Sequence, residues 1–248
     1  MQPLVSIITP AYNADAYIEE MICSVLSQTY TNWELIIVDD ASTDETKTII
    51  SKYLQCDTRI RYVRNNKNNG PAKSRNKGID ASFGEYIAFL DSDDSWLPKK
   101  LEKQIEFMHK ENIQLSYTAY YTVDPKGAII ASFSVPHTVT YVDMLKTSSI
   151  GTLTTIYHAK RLGKIYFPLL HHEDYVLKLN ILKHIPCAKG INEPLAKYRR
   201  HSQSLSQNKL KTALWQWHIY RKVEKLSFIK SFYYFIHYTY FGFFKYRT

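Results

Sequence analysis

Three cysteines (Cys23, Cys56 and Cys187) are all that 248 residues contain, odd in number, widely spaced and without a CxxC pair. This pattern argues against a disulfide scaffold and against structural zinc, and predicts a reducing compartment. Eight glycines and nine prolines are too few for a collagen-like or low-complexity chain. No uninterrupted apolar run approaches the roughly 20 residues of a membrane-spanning helix. The opening MQPLVSIITP has no basic stretch ahead of a long apolar one, so no secretory leader is expected and the protein reads as cytosolic. Acidic residues are outnumbered 23 to 32, for a net charge of +9. The rest, 45% hydrophobic and 22% charged, suits one large α/β domain with a sizeable core.

The charge is unevenly spread. Residues 207–248 carry eight basic side chains against Glu224 alone, so the first 206 residues are nearly neutral at +2. Residues 215–246 also hold 14 of the 35 aromatics. The pattern predicts a catalytic-type domain over 1–206, with a nucleotide-binding half at 1–97 and an acceptor-side half at 98–206, followed by an amphipathic helical tail at 207–248. The near-neutral domain predicts no nucleic-acid partner.

The first 90 residues alternate strand and helix signals. Short β-branched runs at 5–9, 35–38, 60–63 and 86–90 read as strands. Between them Ile18, Met21, Ile22, Val25 and Leu26 recur at helical spacing, as do Ile49, Ile50, Tyr53 and Leu54. Ser42 and Glu45 have capping-box spacing, and Pro71 suits the first turn of a helix beginning after Gly70. Strands separated by helices predict right-handed crossovers and a mainly parallel sheet, with ligands bound beyond the carboxyl ends of the strands. Further on, a helix is expected over 98–109, two strands around the turn at 124–127, a helix over 172–184, a strand near 195–198, and one or two amphipathic helices from 209.

The unusual residues fall at those strand ends. The first strand runs into Thr9-Pro10-Ala11-Tyr12-Asn13, the second into Asp39-Asp40, and the fourth into Asp91-Ser92-Asp93-Asp94. Five carboxylates at two strand ends repel one another unless a cation or hydrogen-bond donors compensate. Asp91 and Asp93 have the spacing to share one divalent ion, and hard oxygen ligands favour Mg²⁺ or Mn²⁺. A DxD alone also fits an ordinary acidic turn. In the form Asp91-Ser92-Asp93-Asp94-Ser95 it superficially matches phosphatases of the haloacid-dehalogenase type, but there the motif ends the first strand of the fold, not the fourth.

Taken in order, VSIITPAYN, Gln28-Thr29-Tyr30, WELIIVDDAS, NNGPAKSRNKGI, GEYIAFLDSDD, HHED at 171–174 and YRRHSQSLS at 198–206 resemble the family 2 glycosyltransferases. That resemblance implies a GT-A fold. It implies that Thr9, Pro10 and Tyr12 cradle the nucleoside, that Asp40 accepts the uracil N3–H while Asp39 holds the turn, and that Arg75 approaches the base or diphosphate. Asp91, Ser92 and Asp93 match the metal-binding DxD, with Asp93 as the direct ligand. Asp174 matches the general base, and His201 the loop that closes over diphosphate and metal. Each has a duller alternative: Tyr12 a core aromatic, Arg75 a solvated charge, Asp174 an acid favoured at a helix N-terminus, His201 loop packing. His171 and His172 resemble a metal pair only superficially, because adjacent helical side chains diverge.

The resemblance therefore implies an inverting, metal-dependent transfer from a UDP-sugar of a hexose or N-acetylhexosamine to a saccharide acceptor. Small members with such tails elongate polyprenyl-diphosphate-linked saccharides of the bacterial surface, in O-antigen, capsule or lipopolysaccharide synthesis. The QxxRW motif of processive members is missing around Trp215-Gln216-Trp217, so a single addition is expected. Basic flanks around the aromatic tail predict peripheral attachment to the inner face of the cell membrane. The tail's alternative is to pack on the domain, or on a second copy in a homodimer. A saccharide- or membrane-binding protein that kept the fold without activity is the other functional reading.

Overall fold

The computed structural model describes residues 2–200 and 209–244. Four strands, β1 (Val5–Ala11), β2 (Trp33–Asp39), β3 (Ile60–Arg64) and β4 (Tyr86–Phe89), alternate with helices α1 (Ile18–Leu26), α2 (Thr46–Cys56) and α3 (Pro71–Ala81). They pair in parallel in the order β3-β2-β1-β4. The chain then forms β5 (Ser95–Trp96), α4 (Lys100–Lys110), β6 (Leu115–Val123), β7 (Ile129–Phe133), β8 (Thr138–Val139) and α5 (Tyr141–Lys146). Next come β9 (Ile156–His158), α6 (Ala159–Leu162), α7 (Glu173–Leu182), β10 (Ala188–Arg199), α8 (Lys209–His218) and α9 (Phe228–Phe244). The sheet continues past β4 as β9-β6-β10-β5, with β9 antiparallel to its neighbours and β6 parallel to β10.

Alternation along the strands builds two cores. Val5, Ile7, Leu35 and Ile37 face α1, α2 and α4, while Ile8, Ile87 and Phe89 face α3, α5 and α7. Near-continuous apolar runs, buried on both faces as in β2 and β4, are what a sheet covered by helices on each side requires. Helix α3 lies so close to β1 that a Cβ on Gly78 would stand 2.5 Å from Ile8 Cγ2. Gly70, at φ +87°, makes the left-handed entry into α3 that a side chain would strain.

Two local expectations are corrected. Ser42 and Glu45 form no capping box: α2 begins at Thr46 without a side-chain cap, and Ser42 is used by the first loop, where its Oγ accepts from Asn13 N–H. The capping box instead opens α5, between Thr140 and Asp143. The expected short strand near 195–198 is the end of the twelve-residue β10.

Among the described residues no helix is long and apolar enough to cross a membrane. Tyr220, in the π-helical turn between α8 and α9, is fully buried and donates to the carbonyl of Leu145. Helix α9 lies against α5, with Tyr234 and Phe235 packed on the α5–α7 core and Tyr238 edge-on to Tyr175. Its opposite face leaves Ile229, Phe232, Tyr233, Ile236 and Tyr240 about half exposed or more.

Candidate active site

The parallel register brings the chemistry together. Ala11 is opposite Asp39, and β4 ends beside β1, so the first loop, the Asp39-Asp40 pair and the Asp91–Asp94 turn share one edge. Tyr12 is half exposed at that edge, with its ring open to a stacking partner. Thr9 is fully buried and its hydroxyl points at Met21 Sδ, 3.8 Å away, so its side chain faces the core and not the site. Pro10, partly buried, is the last but one residue of β1.

The two adjacent aspartates do different work. Asp39 is buried and accepts from Ser42 N–H at 2.8 Å and from the Tyr62 hydroxyl at 2.5 Å, bracing the turn. Asp40 is 3% exposed and accepts from Asn65 Nδ2 at 2.7 Å, from Asn69 N–H at 3.0 Å and from Gly70 N–H at 2.7 Å. A carboxylate has about four acceptor positions. Most of those on Asp40 are spent holding the entry of α3, which a uracil donor would have to share.

Arg75 is not a solvated charge. Helix α3 turns it inward, where its side chain is 9% exposed and makes two ion pairs, 2.6 Å to Asp91 and 3.1 Å to Glu173. Phe167 lies under the guanidinium, with its ring centroid 5.1 Å away. Burial alone would lower the Arg75 pKa, but the carboxylates of Asp91 and Glu173 raise it, so it stays charged. One guanidinium thus joins the end of β4 to the start of α7.

Across that bridge lies Asp174, in the first turn of α7 and 40% exposed at its side chain. Its Oδ2 accepts from Thr152 Oγ1 at 2.9 Å and Lys178 Nζ at 3.0 Å. Burial works to raise its pKa, but the Lys178 charge and hydrogen bond, then Thr152 and Arg75, hold it well below the usual carboxylate range. His171 and His172 precede the helix and do not diverge from a common partner. Both rings contact Trp215 of α8, His171 stacked at 4.1 Å and His172 edge-on at 5.4 Å. His201 lies outside the described residues.

The corner around Asp91, Ser92 and Asp93 is acidic and partly exposed, and among the described residues no three His, Cys, Asp or Glu side chains gather as a ready-made cation site. Arg75 donates to Oδ1 of Asp91 at 2.6 Å. Asp94 is buried and its pKa is raised well above the usual value, first by burial and then by Asp93 and Asp91. Two hard carboxylates in a negative field fit Mg²⁺ or Mn²⁺, an ion whose remaining positions go to water and substrate phosphates.

Four residues that motif reading passed over complete the site. Arg199, at the end of β10, donates from its backbone to Asp94, from Nε to the Asp93 carbonyl at 2.9 Å, and pairs with Glu20 at 2.5 Å, locking the acidic turn. Lys178 had a visible signal, a lone charge inside the apolar run of α7. Thr152 and Trp215 had none, since only the fold brings them to Asp174 and His171.

Residues 6–173 match glycosyl transferase family 2. A Bacillus subtilis protein provisionally assigned as the teichuronic acid biosynthesis glycosyltransferase TuaG is 43% identical over 96% of this chain and 95% of its own. The Escherichia coli protein WfgD, a UDP-Glc:α-D-GlcNAc-diphosphoundecaprenol β-1,3-glucosyltransferase, is 41% identical over 87% of this chain and 85% of its own. Staphylococcus aureus TarS 1–349, solved with UDP-GlcNAc, superposes with a TM-score of 0.69 at 25% identity, covering 81% of this chain and 59% of that one.

Proposed function

This chain belongs to glycosyl transferase family 2, a glycosyltransferase of GT-A fold, and we propose that it transfers one hexose or N-acetylhexosamine, with inversion, from a UDP-sugar to a lipid-linked saccharide. The observation that carries this reading is the Arg75 bridge, in which one buried cation pairs with Asp91 of the acidic turn and with Glu173 at the start of α7, next to Asp174. Donor and acceptor sides are thereby held at a fixed separation, which converts an encounter into a positioned attack.

The bond between the anomeric carbon and the diphosphate oxygen breaks, and UDP leaves with that electron pair. An acceptor hydroxyl oxygen bonds to the same carbon from the opposite face. Its proton passes to Asp174 Oδ1, the oxygen not engaged by Thr152 and Lys178. Attack opposite the leaving group inverts the anomeric centre. Asp93 and Asp91 would hold Mg²⁺ or Mn²⁺, which supplies charge stabilisation for the leaving diphosphate. Tyr12 stacks on the base, Pro10 flanks it, and Asp40 accepts from the uracil through its remaining lone pair. Ser92 lines the diphosphate side of the same turn.

A UDP donor and a polyprenyl-diphosphate-linked acceptor are favoured by the likeness to WfgD, whose name specifies both. Such an acceptor would belong to bacterial surface polysaccharide synthesis at the inner face of the cell membrane. The exposed face of α9, with Lys222, Lys225 and Lys230 beside it, suits an anionic lipid surface. The test is nucleotide release with Mn²⁺ over a panel of UDP- and GDP-sugars, with EDTA and Asp93→Ala as controls. Metal-dependent release of UDP from one sugar is the expected result. Failure of every donor both to turn over and to bind overturns the reading.

A further inference from the structure

Lys178 is a fully buried charge within the second core. It lies one turn beyond Asp174 on α7, is 1% exposed, and has apolar neighbours on both sides in sequence, Leu177 and Leu179, each buried. Burying an ammonium is costly unless it is paired and fully hydrogen-bonded. Here all three protons of Nζ have an acceptor: the Ile150 carbonyl at 2.8 Å, Thr152 Oγ1 at 3.1 Å and Asp174 Oδ2 at 3.0 Å. With all three donor positions engaged by the protein, the ammonium has none left to contact the substrate.

The same contacts orient Asp174. Thr152 and Lys178 both converge on Oδ2, which fixes the carboxylate plane and leaves Oδ1 as the open oxygen. Thr152 accepts from Lys178 and donates to Asp174, so the three groups form a closed ring of hydrogen bonds between α7 and the 3₁₀ turn Thr152–Thr154. The buried charge therefore sits where it fixes the orientation of one carboxylate. We propose that Lys178, with Thr152 as its relay, is the positioning residue of the transfer reaction, aiming Asp174 Oδ1 at the acceptor hydroxyl. This rests on the assignment of Asp174 as base.

The charges facing Asp174 come from several elements. They are Lys178 on its own helix, Arg75 from α3 with its partners Asp91 and Glu173, and His172 from the preceding loop. Only Lys178 bonds the carboxylate itself. Removing it frees the Asp174 rotamer and lets its pKa rise, so the acid limb of the rate profile moves to higher pH.

The experiment is steady-state kinetics of full-length Lys178→Met, Lys178→Arg and Thr152→Val with the UDP-sugar that the nucleotide-release panel selects and an acceptor that supports turnover. In Lys178→Met, kcat is expected to fall on the order of 10- to 100-fold. The donor KM should stay within about twofold, because the donor side is untouched, and the acid limb should move upward. Lys178→Arg recovers part of the loss. Thr152→Val, which leaves no charge unpaired, shows a smaller fall in kcat with the same upward shift, and carries the test if Lys178→Met does not fold. Wild-type kcat and an unmoved acid limb in the folded variants would overturn the proposal, as would a loss expressed wholly in donor KM. Asp174→Asn separates the two failures: turnover there removes the base assignment, whereas an inactive Asp174→Asn beside a normal Lys178→Met removes only the role of Lys178.

Discussion

At the scale of single residues, the site depends on carboxylates whose neighbours assign them separate tasks. Asp93→Ala removes a hard ligand from the acidic turn, and kcat is expected to fall about 100-fold or more. Calorimetry should show UDP-sugar binding that no longer responds to EDTA; wild-type affinity with EDTA inert on both proteins would remove the metal from the turn. Asp174→Asn keeps the shape and loses the proposed proton acceptor, so donor binding is expected to persist while transfer drops by about 10²–10⁴. Arg75→Met leaves Asp91 and Glu173 facing each other without their shared cation. Both carboxylates are partly solvated, so the cost is set at about 2 kcal/mol, below that of a fully buried pair. Thermal unfolding checks this, and Arg75→Lys should recover little, because one ammonium cannot span both partners.

At the scale of elements, α9 has two faces with different jobs. Tyr234, Phe235 and Tyr238 close the α5–α7 core, so deleting residues 228–248 would uncover packed surface as well as remove the proposed lipid contact. Point changes on the outer face are cleaner. Phe232→Glu with Ile236→Glu is expected to abolish sedimentation with anionic vesicles while UDP affinity and melting temperature hold. Undiminished vesicle binding would remove the helix as the anchor. Helix α3 has the opposite requirement, close contact. Gly78→Ala would press a methyl onto Ile8 and push the helix carrying Arg75 off the sheet, with a loss of about 1–3 kcal/mol by overpacking.

For the molecule as a whole, acid is the sensitive direction. Asp57 is held below its ordinary range chiefly by the Arg59 hydrogen bond, and Asp143 by Thr140; Asp174 is lowered by Lys178 against the effect of burial. Carboxylates with depressed pKa values contribute stability that is present above about pH 4 and lost as pH falls through their folded values. The net charge of +9 adds self-repulsion in the same direction. The urea midpoint should therefore fall steadily between pH 5 and pH 2.5; a flat profile would mean these pairs contribute nothing.

What the chain declares by itself is periodic or contiguous. Alternating apolar runs with helices between them specify a parallel sheet, because only helix-covered strands read apolar on both faces. The acids at 39–40 and 91–94 are legible because each follows its strand directly. Contiguity fails for Arg75, where the text shows a lysine-flanked charge and only helix packing turns it inward between Asp91 and Glu173. It fails again for Ser42 and Glu45, whose capping spacing is overridden by a hydrogen bond from a loop 29 residues away. Asp40 reads as a ligand contact, and the fold also engages it with Asn65, Asn69 and Gly70. Lys178 and Thr152 are 26 residues apart and meet at one carboxylate oxygen. Local propensity and strand register are set by neighbours a few residues away and can be read in the text. The pairing of buried charges is decided by which distant groups the packed core leaves within 3 Å, and that belongs to the tertiary structure alone.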